Sequence, residues 1–402
     1  MEYEYKKLSE LGRVVTGKTP PTENSEYYDG DYPFITPSDI ESFDEKYLLA
    51  TERSLSDLGA QELGSLVLPP QSICFVSIGS TIGKMCKTHK RSYTNQQINT
   101  LVPNENYDSD YLFYFLRYIK SYFQSIGGGT GSGKGIVNKT VFSKTKVNVL
   151  KDKTCQHKMA SVLSAYDNLI EVNNKRIKVL EQMAENLYKE WFVRFRFPGH
   201  ESVPFENGLP KGWGYCPVES LTDVLQRGIS PDYDDEGALS VISQKCIRQN
   251  IMDIREARRQ TKAFRPELNV QDGDTVICST GTGTLGRVGQ VYGCFPNTTL
   301  DSHVTLARAK APIGKHFLYW TLKEMQPWFM NMGIGSTNQQ ELYRSTIKNA
   351  KVLKPNCDLI ERFEQMVEPI HGNIVSLIGS QDILVKQRDL LLPRLMSGKL
   401  EV

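Results

Sequence analysis

The stretch Gly128 to Lys134, GGTGSGK, has the G-x-x-x-x-G-K skeleton of a phosphate-binding loop, in which backbone amides cradle phosphates and the lysine reaches the terminal ones. The residues around it do not support nucleotide chemistry. Gly135 stands where a Ser or Thr hydroxyl would ligate the metal, and the preceding YLFYFLRYIKSYFQSI is patterned as helix where a short buried strand is required. Contact of the loop amides and Lys134 with a DNA phosphate suits these residues better. Other catalytic constellations also fail. No N-P-P-Y or D-P-P-Y run is present to hold a flipped base for methylation. Pro231, Asp232, Asp234, Asp235 and Glu236 gather carboxylates, but no spaced [DE]-x-K follows, and the run reads as a turn. The six histidines lack H-x-x-H or H-E-x-x-H spacing, and the eight cysteines are scattered singly, as reduced and mostly buried thiols are. A non-catalytic binding protein with no cofactor or metal of its own is expected.

Binding candidates are more numerous. Lys18 and Thr19, Lys84, the run Thr94-Asn95-Gln96-Gln97, and Lys134 are of the types that contact phosphates and base edges. A second set follows later in the chain: Ser230, Arg287, Asp301-Ser302-His303 and Thr337-Asn338-Gln339, with a basic stretch of Arg255, Arg258, Arg259, Lys262 and Arg265 that has no earlier counterpart. Each has a plainer reading beside it. Lys84 and Arg287 flank SIGSTIGK and TGTGTLGR, which follow apolar runs and predict strand-turn-strand. Asn95 and Gln96 could satisfy buried backbone. The basic stretch, interleaved with Asp253 and Glu256, could be a solvated helix face.

The two sets exist because the chain repeats itself. LSELGRVVTGKTP (Leu8 to Pro20) pairs with LTDVLQRGISP (Leu221 to Pro231), both ending in G-x-[ST]-P. The Gly-rich turns at Ser77 and Thr280, the aromatic stripes YLFYFL (Tyr111) and FLYWTL (Phe317), GGGTGSG and GIGSTNQ, and VLKDKTC and VLKPNC follow in the same order at nearly constant offset. The aromatic stripes are expected core. Each copy ends in a long helix. In the first, Leu163, Tyr166, Ile170, Asn173, Ile177, Leu180, Ala184, Leu187 and Trp191 alternate steps of three and four, a coiled-coil seam on a helix of about 37 residues and ~55 Å. The second seam runs Phe363, Val367, Ile370, Ile374, Leu377, Gln381, Leu384, Arg388, Leu391, Leu395. Pro198-Gly199 is expected to stop the first helix, and Pro393 with Gly398 the second.

The resulting plan is a first recognition domain (1–152), a first long helix (153–197), a Pro/Gly-rich linker (198–214), a second domain (215–355) and a second long helix with a C-terminal tail (356–402). The expected fold class is mixed α/β (α+β): two repeated globular domains separated by two long coiled-coil helices. Matching seams are most simply paired antiparallel, with the domains at opposite ends of a rod. With 402 residues, 39% hydrophobic and 23% charged, the chain is neither disordered nor a membrane bundle. The net charge of +2 confines any nucleic-acid surface to a local patch. MEYEYKKLSELG has no apolar core of a signal peptide and no segment is long and apolar enough to span a bilayer, so a cytoplasmic address is expected.

The two-copy plan, G-x-[ST]-P in each domain, KEWFVRFRFPG (Lys189 to Gly199), LPKGW (Leu209 to Trp213) and LLLPRLMSGKL (Leu390 to Leu400) together resemble the specificity subunits of type I restriction-modification systems. The resemblance covers essentially the whole chain. It implies that each domain reads one half of a bipartite double-stranded DNA site and that the helices act as a ruler for the spacer. It also implies partners: two methyltransferase (modification) subunits carrying S-adenosylmethionine, and two restriction subunits using ATP and Mg to translocate and cut. Such a chain would work beside the bacterial or archaeal nucleoid. Trp191, Phe192 and Arg194 could dock such a subunit, or anchor the helix end on its own domain. NQQI (Asn95 to Ile98) matches a frequent family element, while LDSHV (Leu300 to Val304) departs from it, so the half-sites are expected to differ. The competing reading is a free-standing bivalent DNA-binding regulator with no methylase partner.

Overall fold

In a computed structural model, which describes residues 2–40, 46–48, 50–128, 135–248, 251–252, 254–335 and 340–401, the chain divides into two compact units. One comprises Met1–Val172 with Gln381–Val402, the other Asn173–Ser380. The first head opens with the strand Tyr3–Lys7, which pairs antiparallel with Lys146–Leu150. Its main sheet has five strands in the order Gly12–Thr16, Ile98–Pro103, Ile73–Val76, Met85–Thr88, Tyr47–Leu48. A smaller sheet joins Arg53–Leu55, Tyr28–Ile35 and Tyr93–Thr94. The strand Ile73–Val76 is buried along its whole length, as an unbroken apolar run requires.

The second head repeats this topology with one more strand at the edge of its main sheet. Gly214–Pro217 pairs with Lys351–Lys354; a six-stranded sheet runs Thr222–Arg227, Val304–Ala309, Thr275–Cys278, Val288–Gln290, Ile251–Met252, Ile247–Arg248; and a three-stranded sheet joins Arg258–Gln260, Leu239–Ile242 and Thr298–Leu300. Even the parallel pairings match: Phe34 with Tyr93 in one head, Ser240 with Thr298 in the other. The aromatic stripes form the helices Ser109–Tyr118 and Lys315–Glu324, and Tyr111 to Leu116 and Phe317 to Leu322 are buried throughout. Phe75, Phe123 and Phe142 meet in the first core at centroid distances of 5.1–5.3 Å.

The long helices are Lys153–Tyr188, extended by a π-turn over Lys189–Val193, and Cys357–Met396. Within each unit they pair antiparallel. In the first, Leu163 packs in one cluster with Leu392 and Leu395, Asp167 binds Arg388 at 2.8 Å, and the Ile170 carbonyl accepts from Gln381 Nε2 at 3.4 Å. In the second, Ile177 meets Ile374 and Leu377, and Tyr188 meets Phe363. The buried line drifts from the expected seam. Asp167, Glu181 and Tyr188 are buried where Tyr166, Leu180 and Leu187 are only partly so. Asp167 tolerates this because it accepts from the Tyr114 hydroxyl at 2.5 Å as well as from Arg388, which is itself 1% exposed.

Two boundaries differ from expectation. Pro393 does not end the second helix, which continues to Met396 and is broken by Gly398 at φ 73. The first helix is already over at Arg194, before Pro198. The linker is ordered: Phe205–Glu206 and Leu209–Pro210 form a hairpin around Asn207-Gly208, both at positive φ, and Trp213 is buried in the second unit against Phe192, Phe195 and Phe197. Among the described residues no helix is long and apolar enough to cross a membrane.

Candidate nucleic-acid interface

Each G-x-[ST]-P element lies against a tight turn that precedes a central strand. In the first head Gly17 is pressed on Thr94: an added Cβ would lie 2.0 Å from the Thr94 carbonyl oxygen. That approach lets Lys18 N–H donate to Thr94 O at 3.1 Å and Thr19 Oγ1 donate to Gln96 Oε1 at 2.8 Å. Lys18, Thr19, Asn95 and Gln96 are thus brought together. Lys18 is exposed and lies 3.9 Å from Glu62, a solvated pairing of little strength. Asn95 is a structural residue: its Oδ1 accepts the Gln97 N–H at 3.0 Å and its own N–H donates to Ile35 O. Gln96 and Lys18 are exposed.

The second head builds the same object from other side chains. Gly228 sits 2.0 Å, by its missing Cβ, from Leu300 O. Asp301 occupies the place of Asn95, with Oδ1 accepting the His303 N–H at 2.9 Å and N–H donating to Ile242 O at 2.9 Å. Burial pushes the Asp301 carboxyl up, against the pull of that N–H. Ser302 therefore corresponds to Gln96 and His303 to Gln97. Exposed His303 is held by Thr280 Oγ1 at 2.7 Å from Nδ1. Ser230 is exposed, and its carbonyl accepts from Lys262 Nζ at 2.8 Å.

The Gly-rich blocks are turns between antiparallel strands, as their pattern predicts. Lys84 and Arg287 flank them partly buried, donating to the carbonyls of Ile40 (3.2 Å) and Ile247 (3.4 Å). The basic stretch is not a helix face. Arg258–Gln260 is a strand paired with Leu239–Val241, and exposed Arg258 lies 3.6 Å from the centroid of the Tyr233 ring, an arginine-aromatic stack. Asp234 to Gly237 is a turn, with Glu236 N–H on Asp234 Oδ1 at 3.0 Å. Lys134, Thr337 and Asn338 lie outside the described residues.

Trp191 and Phe192 are corrected by the structure. Each is 5% exposed and packs on Phe363, with Phe192 also against Phe317 and Trp213. They are core of the second unit, so they offer no docking face, and the head they anchor is the second one. Arg194 alone of the three is exposed, paired with Glu190.

Sequence reasoning missed two polar groupings. Asn99 is buried under the first interface, donating to Ser77 Oγ and Val137 O at 2.8 Å and accepting from Thr16 Oγ1 at 2.5 Å; Thr305 with Ser279 replaces it in the second head. The signal was an Asn inside an apolar strand. The other grouping joins the second long helix to the second head. Glu364 accepts the N–H groups of His316 (3.2 Å) and Phe317 (2.7 Å), Glu368 meets His316 Nε2 at 2.9 Å, and His371 Nε2 meets Asp272 at 2.8 Å. Among the described residues no cluster of His, Cys, Asp or Glu is placed to hold a metal.

Each of the two units contains a head of one topology that presents a Gly-anchored turn bearing exposed polar side chains. Residues 1–182 match the family described as the type I restriction modification DNA specificity domain. The type I restriction enzyme MjaIX specificity subunit of Methanocaldococcus jannaschii is 26% identical over 100% of this chain and 94% of its own length. The MjaVIII specificity subunit of the same organism is 22% identical over 100% and 93%. The crystal structure of a type I restriction-modification S subunit from M. genitalium shares the fold, with TM-score 0.55 and 14% identity over 98% of this chain and 96% of that one. The chain is thus similar along its whole length to type I restriction enzyme specificity subunits, and its first 182 residues match their DNA specificity domain.

Proposed function

We propose that this chain directs DNA methylation and restriction to an asymmetric bipartite site, each head reading one half-site and the paired helices fixing the spacer between them. The observation that carries this is the equivalence of the two turns: Asn95-Gln96-Gln97 and Asp301-Ser302-His303 share one backbone hydrogen-bond scheme yet present different side chains. One frame with two sets of base-edge partners is what two different half-sites require. In this reading Thr19, Gln96, Ser230, Ser302 and His303 face bases, while Lys18, Lys84, Lys134, Arg258 and Arg287 position the phosphate backbone, and Thr337 and Asn338 are further DNA contacts. Asn95 and Asp301 hold the turns. Two methyltransferase subunits with S-adenosylmethionine and two restriction subunits with ATP and Mg supply the chemistry, in the cytoplasm.

Single-molecule methylome sequencing of the host with the gene intact and deleted tests this. Loss of one bipartite methyladenine motif on deletion is the expected result. A methylome unchanged by deletion, with tight binding of the purified chain to a divided site and no methylase co-purifying, would favour the free-standing regulator.

A further inference from the structure

The recognition turns differ between the heads, and one residue near them does not. In the small sheet of the first head Phe34 lies between Tyr93 and Arg53. In that of the second, Val241 lies between Thr299 and Arg258. Phe34 and Val241 are equivalent, since each precedes the residue, Ile35 or Ile242, whose carbonyl accepts the N–H of Asn95 or Asp301. Arg53 and Arg258 therefore occupy one register position, each the first residue of an edge strand, Arg53–Leu55 or Arg258–Gln260. The basic stretch of the second head thus has a counterpart in the first that chain order conceals, because Arg53 stands farther beyond Gly17 than Arg258 does beyond Gly228.

Both arginines are exposed, and among the described residues neither forms an ion pair, whereas Arg227, Arg265 and Arg308 of the second head each meet a carboxylate. Each stands by a tyrosine tied to the G-x-[ST]-P element. Arg258 lies on the ring of Tyr233, in a segment held along its strand by Thr261 N–H on Asp232 O at 3.0 Å and Asp234 N–H on Arg259 O at 3.2 Å. In the first head the Tyr28 hydroxyl donates to Pro20 O at 2.9 Å, and the Arg53 charge pulls on that hydroxyl against the stronger upward push of burial. Stacking occupies the face of a guanidinium and leaves its in-plane N–H donors open, in the fork that matches a phosphate. Two strand spacings, about 10 Å, separate each arginine from the strand that enters the recognition turn. That is roughly three nucleotide steps along one DNA strand, so the arginine falls beside the bases its turn reads. What two different half-sites share is the sugar-phosphate backbone, the natural partner of a residue that stays the same while the reading side chains change. Taking each head as a half-site reader, we propose that Arg53 and Arg258 are matched phosphate clamps, one to a head, that grip the DNA backbone flanking the bases each turn reads. An arginine on a sheet edge also hinders edge-to-edge pairing, a role that leaves the salt dependence of DNA affinity untouched.

Anisotropy titrations across a salt series test the clamps, using the full chain with whatever subunits co-purify, on a duplex carrying the site defined by the methylome and on a scrambled one. Arg53→Ala and Arg258→Ala are each expected to weaken binding about tenfold or more and to lower the slope of log affinity against log salt by about 0.9. Both effects should appear on both duplexes, leaving the preference between them intact. Arg53→Lys keeps the charge and should keep the slope. Arg362→Ala, at an exposed arginine of the second long helix, is the charge-matched control and should change neither quantity. Native affinity and slope in Arg53→Ala and Arg258→Ala would overturn the clamps while the half-site reading stands. So would an equal drop with Arg362→Ala, which reduces the effect to net charge, or a loss confined to the specific duplex, which makes the arginines base readers. Equal binding of both duplexes by the native protein removes the half-site reading itself, and the clamps with it.

Discussion

Half-buried Glu364 and buried His316 are adjacent and displaced in directions that oppose one another. Burial pushes the Glu364 carboxyl up from 4.5 to about 7, outweighing the two backbone N–H groups it accepts. Burial also holds the His316 imidazole down from 6.5 to about 4, despite the Glu368 carboxylate at its Nε2. Between pH 4.5 and 7 the folded chain keeps a proton on Glu364 that the unfolded chain has lost, so stability falls as pH rises. Between pH 4 and 6.5 the unfolded chain binds a proton that folded His316 refuses, so stability rises with pH. The two slopes offset each other in the native protein, with Lys315, Glu368, His371 and Asp272 as the ionisable groups around them. Glu364→Gln is therefore expected to expose a stability that climbs through this window, and His316→Asn one that declines. Urea midpoints across the window read both signs, and parallel profiles for the two variants would refute the pairing. None of this was legible in the sequence, where the histidines could be judged only by spacing. Glu364 and His316 are far apart in the chain, and what matters is that one caps the helix the other begins.

At the scale of elements, the close approach of Gly17 to Thr94 and of Gly228 to Leu300 makes each recognition turn depend on an absent Cβ. Gly17→Ala is expected to cost about 1–3 kcal/mol through overpacking against backbone that cannot yield, and to weaken DNA binding beyond that loss. Gly214→Ala, with nothing within 4 Å of the new carbon, is the neutral control in the same melting and binding experiments. Elements of this kind were readable where local pattern decides them. The aromatic stripes, the strand-turn-strand blocks, the repeat order and the long helices all follow from short-range periodicity. The basic stretch was not readable, because Arg258–Gln260 becomes a strand only through Leu239–Val241, some twenty residues away. The seam was readable in part. A step of three and four finds Leu163, Ile170, Ile177, Ala184 and Trp191, but a helix of 3.6 residues per turn drifts from it, and Asp167 is buried only because Tyr114 and Arg388 satisfy it.

For the whole molecule, the repeated topology means that the heads should be separable as readers. Replacing Ser302 and His303 together by glutamine, the residue at both corresponding positions of the first head, is expected to alter one half of the methylated sequence and leave the other half and the spacer unchanged. Methylome sequencing of the variant decides it, and changes in both halves would show that the heads are not independent. The repeat also leaves the two units optically unequal. All four tryptophans, Trp191, Trp213, Trp320 and Trp328, lie in the unit Asn173–Ser380, although the tyrosines and the helical segments are shared. Emission excited at the red edge of protein absorption therefore comes from one unit while the other stays dark. A core variant of the first head such as Phe75→Ala, which should cost about 3–5 kcal/mol, is expected to move the circular dichroism transition while the emission transition holds its place. The chain carries, through nothing more than where its indoles fell, a built-in label on half of itself.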